Sequence, residues 1–157
     1  MNEPLGFTGS RYFLSNYSRH HVAYEGVTYP TAEAVFAAAK TLDVSLRRRI
    51  AAAPSPGAAK RMGRQLKLRE DWEDIKVAVM REILAAKFSN ATLAQRLIET
   101  SGQLSEDNIW HDQIWGNCVC SAHKDIPGRN LLGILLMELR NDLTVKAGCD
   151  TSPISVD

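Results

Sequence analysis

No stretch of this 157-residue chain is apolar for long enough to cross a bilayer. The longest apolar run, Leu131 to Leu139, is broken by Gly133 and Glu138. An excess of either charge is also missing: 19 basic against 18 acidic residues leave a net charge of +1, so no global field draws the protein to nucleic acid or to an anionic membrane. A local basic patch stays open. Cysteine is scarce and odd in number, three in all, which excludes a disulfide framework and makes a reducing cytoplasm the expected compartment. The N-terminus has neither the basic nor the apolar region of a signal peptide. Internal repeats and low-complexity segments are absent.

What is present suits one soluble domain. The apolar fraction of 45% is ordinary, and the length allows a real core. Aromatic and β-branched residues gather in the first thirty positions. Arg11-Tyr-Phe-Leu14 and His21-Val-Ala-Tyr24 read as short strands, and Glu25-Gly26 turns the chain into Val27-Thr-Tyr29. After Pro30 the sequence reads as helical. Thr31 is the expected N-cap of a first helix. Further helices are expected over 44–52, 57–63, 70–88, 91–99 and 131–146, the last capped by Asn130. The expected fold class is mainly α, a single compact helical domain with a small N-terminal β-hairpin. It spans 1–147, with a polar, frayed tail over 148–157.

Within the first helix, Glu33 and Lys40 are the only charges in an alanine-rich stretch. Seven residues at about 100° each make nearly two turns, which puts both side chains on one face with Cα atoms about 10 Å apart. That is too far for an i,i+4 ion pair. They read either as two walls of one polar site or as the solvated edge of a core helix. A buried carboxylate can act as general acid or base, and a desolvated lysine can attack a carbonyl.

The connection from Gln103 to Pro127 is too long for a plain linker. It carries Glu106, Asn108, Trp110, His111, Asp112, Trp115 and Gly116, a mixture of indoles, carboxylates and an amide suited to a planar base and a sugar. A packed loop anchored by its tryptophans is the plainer alternative. Cys118-x-Cys120-x-x-His123 offers zinc-ligand residue types with His111 a conceivable fourth. The spacing is not that of a zinc knuckle, and we assign no metal and no cofactor from sequence. Gly128-Arg129-Asn130-Leu-Leu-Gly133 opens a helix where free N–H groups and an arginine suit a phosphate, or simply cap the helix. Lys60, Arg61 and Arg64 add cations on one short helix, whereas Arg47-Arg-Arg49 reads as a solvated face.

In order and spacing these pieces resemble the NADAR superfamily, the NAD- and ADP-ribose-associated proteins. That family includes an N-glycosidase of early riboflavin-pathway intermediates. The matching stretches are Phe13-Leu-Ser15-Asn16, Gly26-x-x-Tyr29-x-x-x-Glu33 leading to Ala39-Lys40, Ala59-Lys60-x-x-Gly63-Arg64 and Leu68-Arg69-x-x-Trp72. Beyond these come Glu106, Trp110-His-Asp112, Trp115-Gly116 and Gly128-x-Asn130-x-Leu-Gly133. The resemblance implies cleavage of an N-glycosidic bond beside a phosphorylated ribose or ADP-ribose. The expected partner is a phosphoribosyl or ADP-ribosyl small molecule, or ADP-ribosylated guanine in DNA, with no membrane involved. On that analogy Glu33 and Asp112 do acid–base work, and Lys40 is an electrostatic partner or captures C1 as a Schiff base. Trp72, Trp110 and Trp115 stack on a base, with Gly116 beside them. Ser15 and Asn16 contribute to the substrate site, and Arg11, Lys60, Arg64, Arg129 and Asn130 hold phosphate. Many members have a histidine where this chain has Ala34; if that imidazole contributes to binding in them, the departure bears on substrate preference or rate here. The alternative is a module that binds ADP-ribose or NAD without turnover.

Overall fold

The computed structural model describes residues 6–150, the side chain of Asp150 excepted. A 3-10 helix (Gly9–Leu14) is followed by strands β1 (Val22–Tyr24) and β2 (Val27–Tyr29), then helices α1 (Ala32–Ala39), α2 (Val44–Ala51), α3 (Pro56–Gln65), α4 (Trp72–Lys87) and α5 (Ala91–Ile98). The long connection holds only β3 (Asp107–Asn108) and β4 (Asn117–Cys118) before α6 (Leu131–Asp150). The fold is mainly helical, as expected. β1 and β2 pair antiparallel with Val22 opposite Tyr29, and β3 and β4 make a short parallel bridge. Glu25 and Gly26 turn the hairpin with φ of 45° and 82°, the left-handed pair that a two-residue turn requires. Among the described residues no helix is long and apolar enough to cross a membrane.

Among the described residues, four helix starts carry side-chain caps, those at Thr31 and Asn90 as the sequence predicts. Thr31 Oγ1 accepts the N–H of Ala34, Asp43 that of Leu46, Ser55 that of Ala58 and Asn90 that of Leu93. Each such cap contributes about 1 kcal/mol. Four readings are corrected. Residues 11–14 form a 3-10 helix and no strand, because Arg11 and Ser15 donate to carbonyls three residues back and the neighbours Phe13 and Leu14 are both buried. Arg47 is not on a solvated face. It stands one turn from Ile50 on the inner side of α2, where Nε donates to the Thr41 carbonyl and Nη1 to the Glu25 carboxylate, while Nη2 is buried without a partner. Asn130 does not cap α6 with its side chain: Oδ1 accepts the N–H of Glu106 and Nδ2 donates to Leu104 O. Finally, α6 continues past Lys146 through Gly148 to Asp150, so the last helix is longer than expected. The rest of the expected tail, 151–157, lies outside the described residues.

The core has two apolar clusters. One gathers the alanine face of α1 with Tyr29, Ile50, Trp72 and Ile83; the other gathers Phe13, Met80, Leu84, Phe88, Leu97 and Leu136. Phe36 packs against both. α1 and α3 touch almost without side chains between them. A Cβ on Gly63 would lie 2.8 Å from Ala37 Cβ and 3.1 Å from its Cα. Lys87 is the one fully buried lysine among the described residues. Its ammonium donates to Ser15 O and Ser18 Oγ, both at 2.9 Å, and so fixes the segment that leads to the hairpin. Burial pulls its pKa from 10.5 down to about 7.

Two outcomes follow for stability. Between pH 7 and 10.5 the unfolded chain holds more protons on Lys87 than the folded one, so this group stabilises increasingly as pH rises through that window. Melting curves are expected to show the gap between wild type and Lys87→Met widening from pH 7 upward; a constant gap would show that Lys87 is not titrating there. Gly63→Val has to push α3 off α1, and urea denaturation should show a loss of about 1–3 kcal/mol.

Candidate active site

In α1 all residues are buried except Glu33 and Phe36, and Lys40, directly after the helix, is likewise half-buried. These positions form one stripe at i, i+3 and i+7. The stripe is the wall of a polar site. The backbone N–H of Glu33 donates to Asn16 O at 3.0 Å, which joins the N-terminal segment to the start of α1. The Glu33 carboxylate accepts no hydrogen bond and belongs to none of the four ion pairs among the described residues. Burial pushes its pKa up, the charge of Asp112 adds to this, and the cations of Lys60, Lys40 and Arg64 oppose it. Lys40 moves the other way. Burial lowers its ammonium, Arg64 and Lys60 lower it further, and Glu33 resists. Both groups are thereby moved toward their neutral forms.

Lys60 and Arg64 reach this stripe because α3 crosses α1 so closely at Gly63, between them in sequence. The Lys60 ammonium also stands 5.8 Å from the centre of the Tyr17 ring. Phe36 forms the aromatic floor. Its ring lies 5.1 Å from Trp72 and 5.3 Å from Trp115, and the Lys40 ammonium is 5.5 Å from it. Sequence reading passed over Phe36 and Tyr17. Phe36 had a signal, its place between Glu33 and Lys40 on one helical face; Tyr17 had only its position next to Asn16.

Asp112 comes from the long connection, and the loop is built to hold it. Asn108, fully buried, accepts the N–H of Asp112 at 3.1 Å and donates to its carbonyl at 2.8 Å. Asp112 Oδ1 in turn accepts the N–H groups of Ile114 and Trp115 at 3.0 and 2.9 Å, while Oδ2 receives no hydrogen bond among the described residues. Gly116 is buried against Glu106 O, where a Cβ would lie only 2.3 Å away. Glu106 sits deeper. Burial raises its carboxyl to about 7, helped by Asp112 and Asp107 and opposed by the N–H of Phe7. Its Oε2 is buried without a partner, which fits a protonated group.

The structure thus brings together Glu33, Lys40, Lys60, Arg64 and Asp112, with Trp115 beside Phe36 and Ser15 and Asn16 at the start of α1. Asn16 keeps Oδ1 buried and unpaired, an acceptor in want of a donor. Other expected residues lie apart from this group. Trp72 is buried behind Phe36, with no face for a ligand. Trp110 is exposed at 58%. Arg11 and Arg129 are exposed and are not among the charges acting on Glu33 or Lys40. The start of α6 is no phosphate cradle. The N–H groups of Arg129, Asn130, Leu131 and Leu132 donate to the carbonyls of Gln113, Gly116, Ile114 and Trp115, so the loop itself occupies the helix N-terminus. An open groove between Thr41–Asp43 and Lys67–Asp71 holds none of the five charged residues. Among the described residues, those able to hold a metal are a separate set, His111, Cys118, Cys120 and His123.

Known proteins share this arrangement of chain. The NADAR domain profile matches residues 5–144. The chain is 38% identical over 136 residues to a protein named N-glycosidase YbiA in Escherichia coli K12, covering 85% of this chain and 82% of that one. It is 34% identical over 149 residues to a riboflavin biosynthesis protein of Vibrio vulnificus, covering 91% of this chain and 39% of that larger protein. The NMR structure of Escherichia coli YbiA superposes with a TM-score of 0.78 at 34% identity, over 97% of this chain and 90% of that one. With a profile match over nearly its whole length and a relative of the same fold, the chain belongs to the NADAR domain family.

Proposed function

We propose that this protein is an N-glycosidase, a hydrolase that cleaves the bond between C1 of a phosphorylated ribose and a nucleobase-like nitrogen. The observation that carries the reading is the Glu33 carboxylate. It is half-buried, accepts no hydrogen bond among the described residues, and lies within the fields of Lys60, Lys40, Arg64 and Asp112. Structural carboxylates spend their acceptors on neighbours, whereas this one is kept for something else. The names of two relatives, an N-glycosidase and a riboflavin biosynthesis protein, point the same way.

The chemistry follows from the two carboxylates. Breaking an N-glycosidic bond builds positive charge on the ribose ring and negative charge on the departing nitrogen. Glu33, held toward its protonated form by burial, gives its proton to that nitrogen. Asp112 turns an uncommitted Oδ2 to the sugar, where it stabilises the ring charge and takes a proton from the attacking water. Lys60 and Arg64 take the phosphate. Trp115 and Phe36 present aromatic surface to the base. Lys40, its amine made more available by burial, is either a counter-charge or a nucleophile that forms a Schiff base at C1.

The substrate we favour is a phosphoribosyl-aminopyrimidine of the riboflavin route, since one compact pair of cations suits one phosphate. ADP-ribose on guanine is the second arm of the assay. With either substrate, mass spectrometry should detect the released base, and Glu33→Gln and Asp112→Asn should each lower turnover by about two or more orders of magnitude with the fold intact. Binding of both substrates without release would mark a binding module instead. Because Glu33 acts as the acid, activity should fall on the alkaline side through a pKa above its ordinary 4.5. Borohydride added during turnover separates the roles of Lys40. An adduct lost in Lys40→Ala assigns a covalent step, and its absence in wild type leaves Lys40 as a counter-charge.

A further inference from the structure

A second cluster lies in the same loop, outside the carboxylate site. His111, Cys118, Cys120 and His123 bring their ligand atoms within 4.8 Å of one another. From His111 Nδ1 the distances are 3.8 Å to Cys118 Sγ, 3.5 Å to Cys120 Sγ and 3.3 Å to His123 Nδ1. Cys120 Sγ is 3.2 Å from His123 Nδ1. Hydrogen bonding does not explain this set. An imidazole Nδ1 has one hydrogen or one lone pair, directed along one line, yet here it faces three partners at once. A shared cation at the centre does explain it. Zinc bonds of about 2.3 Å to sulfur and about 2.0–2.1 Å to nitrogen, arranged as a tetrahedron, separate S and N by about 3.5 Å and N from N by about 3.3–3.4 Å. The four contacts lie within about 0.3 Å of those edges.

We propose that His111, Cys118, Cys120 and His123 form a structural metal site for zinc. Two thiolates and two imidazoles are the donor set that Zn²⁺ prefers over the harder divalent ions. Four protein ligands fill the tetrahedron, so no position is left for a water or a substrate, and the site holds structure without doing chemistry. The sequence signature is His-x6-Cys-x-Cys-x-x-His, which the fold assembles from three places. His111 follows β3 and directly precedes Asp112; Cys118 ends β4; Cys120 and His123 lie in the turn closed by the N–H groups of His123 and Lys124 on Cys120 O. The metal therefore staples a connection whose regular structure is otherwise a two-residue bridge. His111 has φ of +70°, a conformation that L side chains rarely adopt, and ligation holds it there with Asp112 alongside.

The test is metal analysis of the full untagged chain, grown with zinc and dialysed against a weak chelator. One equivalent of zinc per chain is expected. Replacement by Co²⁺ should give the intense visible bands of a tetrahedral ion and the near-ultraviolet charge transfer of a thiolate ligand. Both signals should vanish in Cys120→Ser and, independently, in His123→Ala, whose side chains are only partly buried. Metal-free wild type with Cys118 and Cys120 reacting as ordinary thiols would overturn the proposal. So would a cobalt spectrum unchanged in both variants. The readout is independent of glycosidase activity, so either proposal can fail alone.

Discussion

The contact between Ala37 of α1 and Gly63 of α3 leaves no space for another methyl group, and the geometry of the charged site depends on it. Because the two helices approach so closely, the residues flanking Gly63 project past α1. Lys60 and Arg64 then act on the same carboxylate and the same amine. The alanine content of α1 serves this packing. Small side chains fill the buried face without holding the neighbours away, and they leave a single stripe, Glu33, Phe36 and Lys40, incompletely covered. Core packing and site formation are two results of one arrangement.

That arrangement leaves Glu33 with competing influences. Removal from water disfavours its charge, and three nearby cations favour it, yet none comes close enough to make an ion pair. A direct salt bridge would have fixed the carboxylate as a permanent anion and used up its oxygens. At a distance, the cations temper the penalty of burial and leave the oxygens available to a ligand. Asp112 enters on a loop whose backbone is tied down by its own polar groups. Asn108 grips its backbone, Asn130 grips Glu106, and the first N–H groups of α6 grip the carbonyls of 113–116. One carboxylate thus stands on a helix at the edge of the core, the other on a loop that has been made rigid.

Much of this was legible in the sequence because it is local. Thr31 and Asn90 announce helix starts through their own hydroxyl and amide, and the 3.6-residue period places Glu33 and Lys40 on one face. What escaped was non-local. Arg47 looks like one member of a basic run until Glu25, twenty-two positions earlier, is seen to meet it. Gly128 to Gly133 looks like an anion cradle until the loop at 113–116 is found on it. His111 is only a conceivable partner of Cys118, Cys120 and His123 until folding carries it to them. In each case the deciding partner lies in a different element, and neither propensity nor spacing reports which elements will touch.

The central claim is that the stripe on α1 and the loop at Asp112 enclose one ribose. A crystal structure with ribose 5-phosphate bound tests it most directly. The account predicts the phosphate on Lys60 and Arg64, and C1 facing the carboxylates of Glu33 and Asp112. A sugar bound elsewhere, for instance in the groove beside Thr41 and Arg69, with Glu33 left untouched, would contradict it.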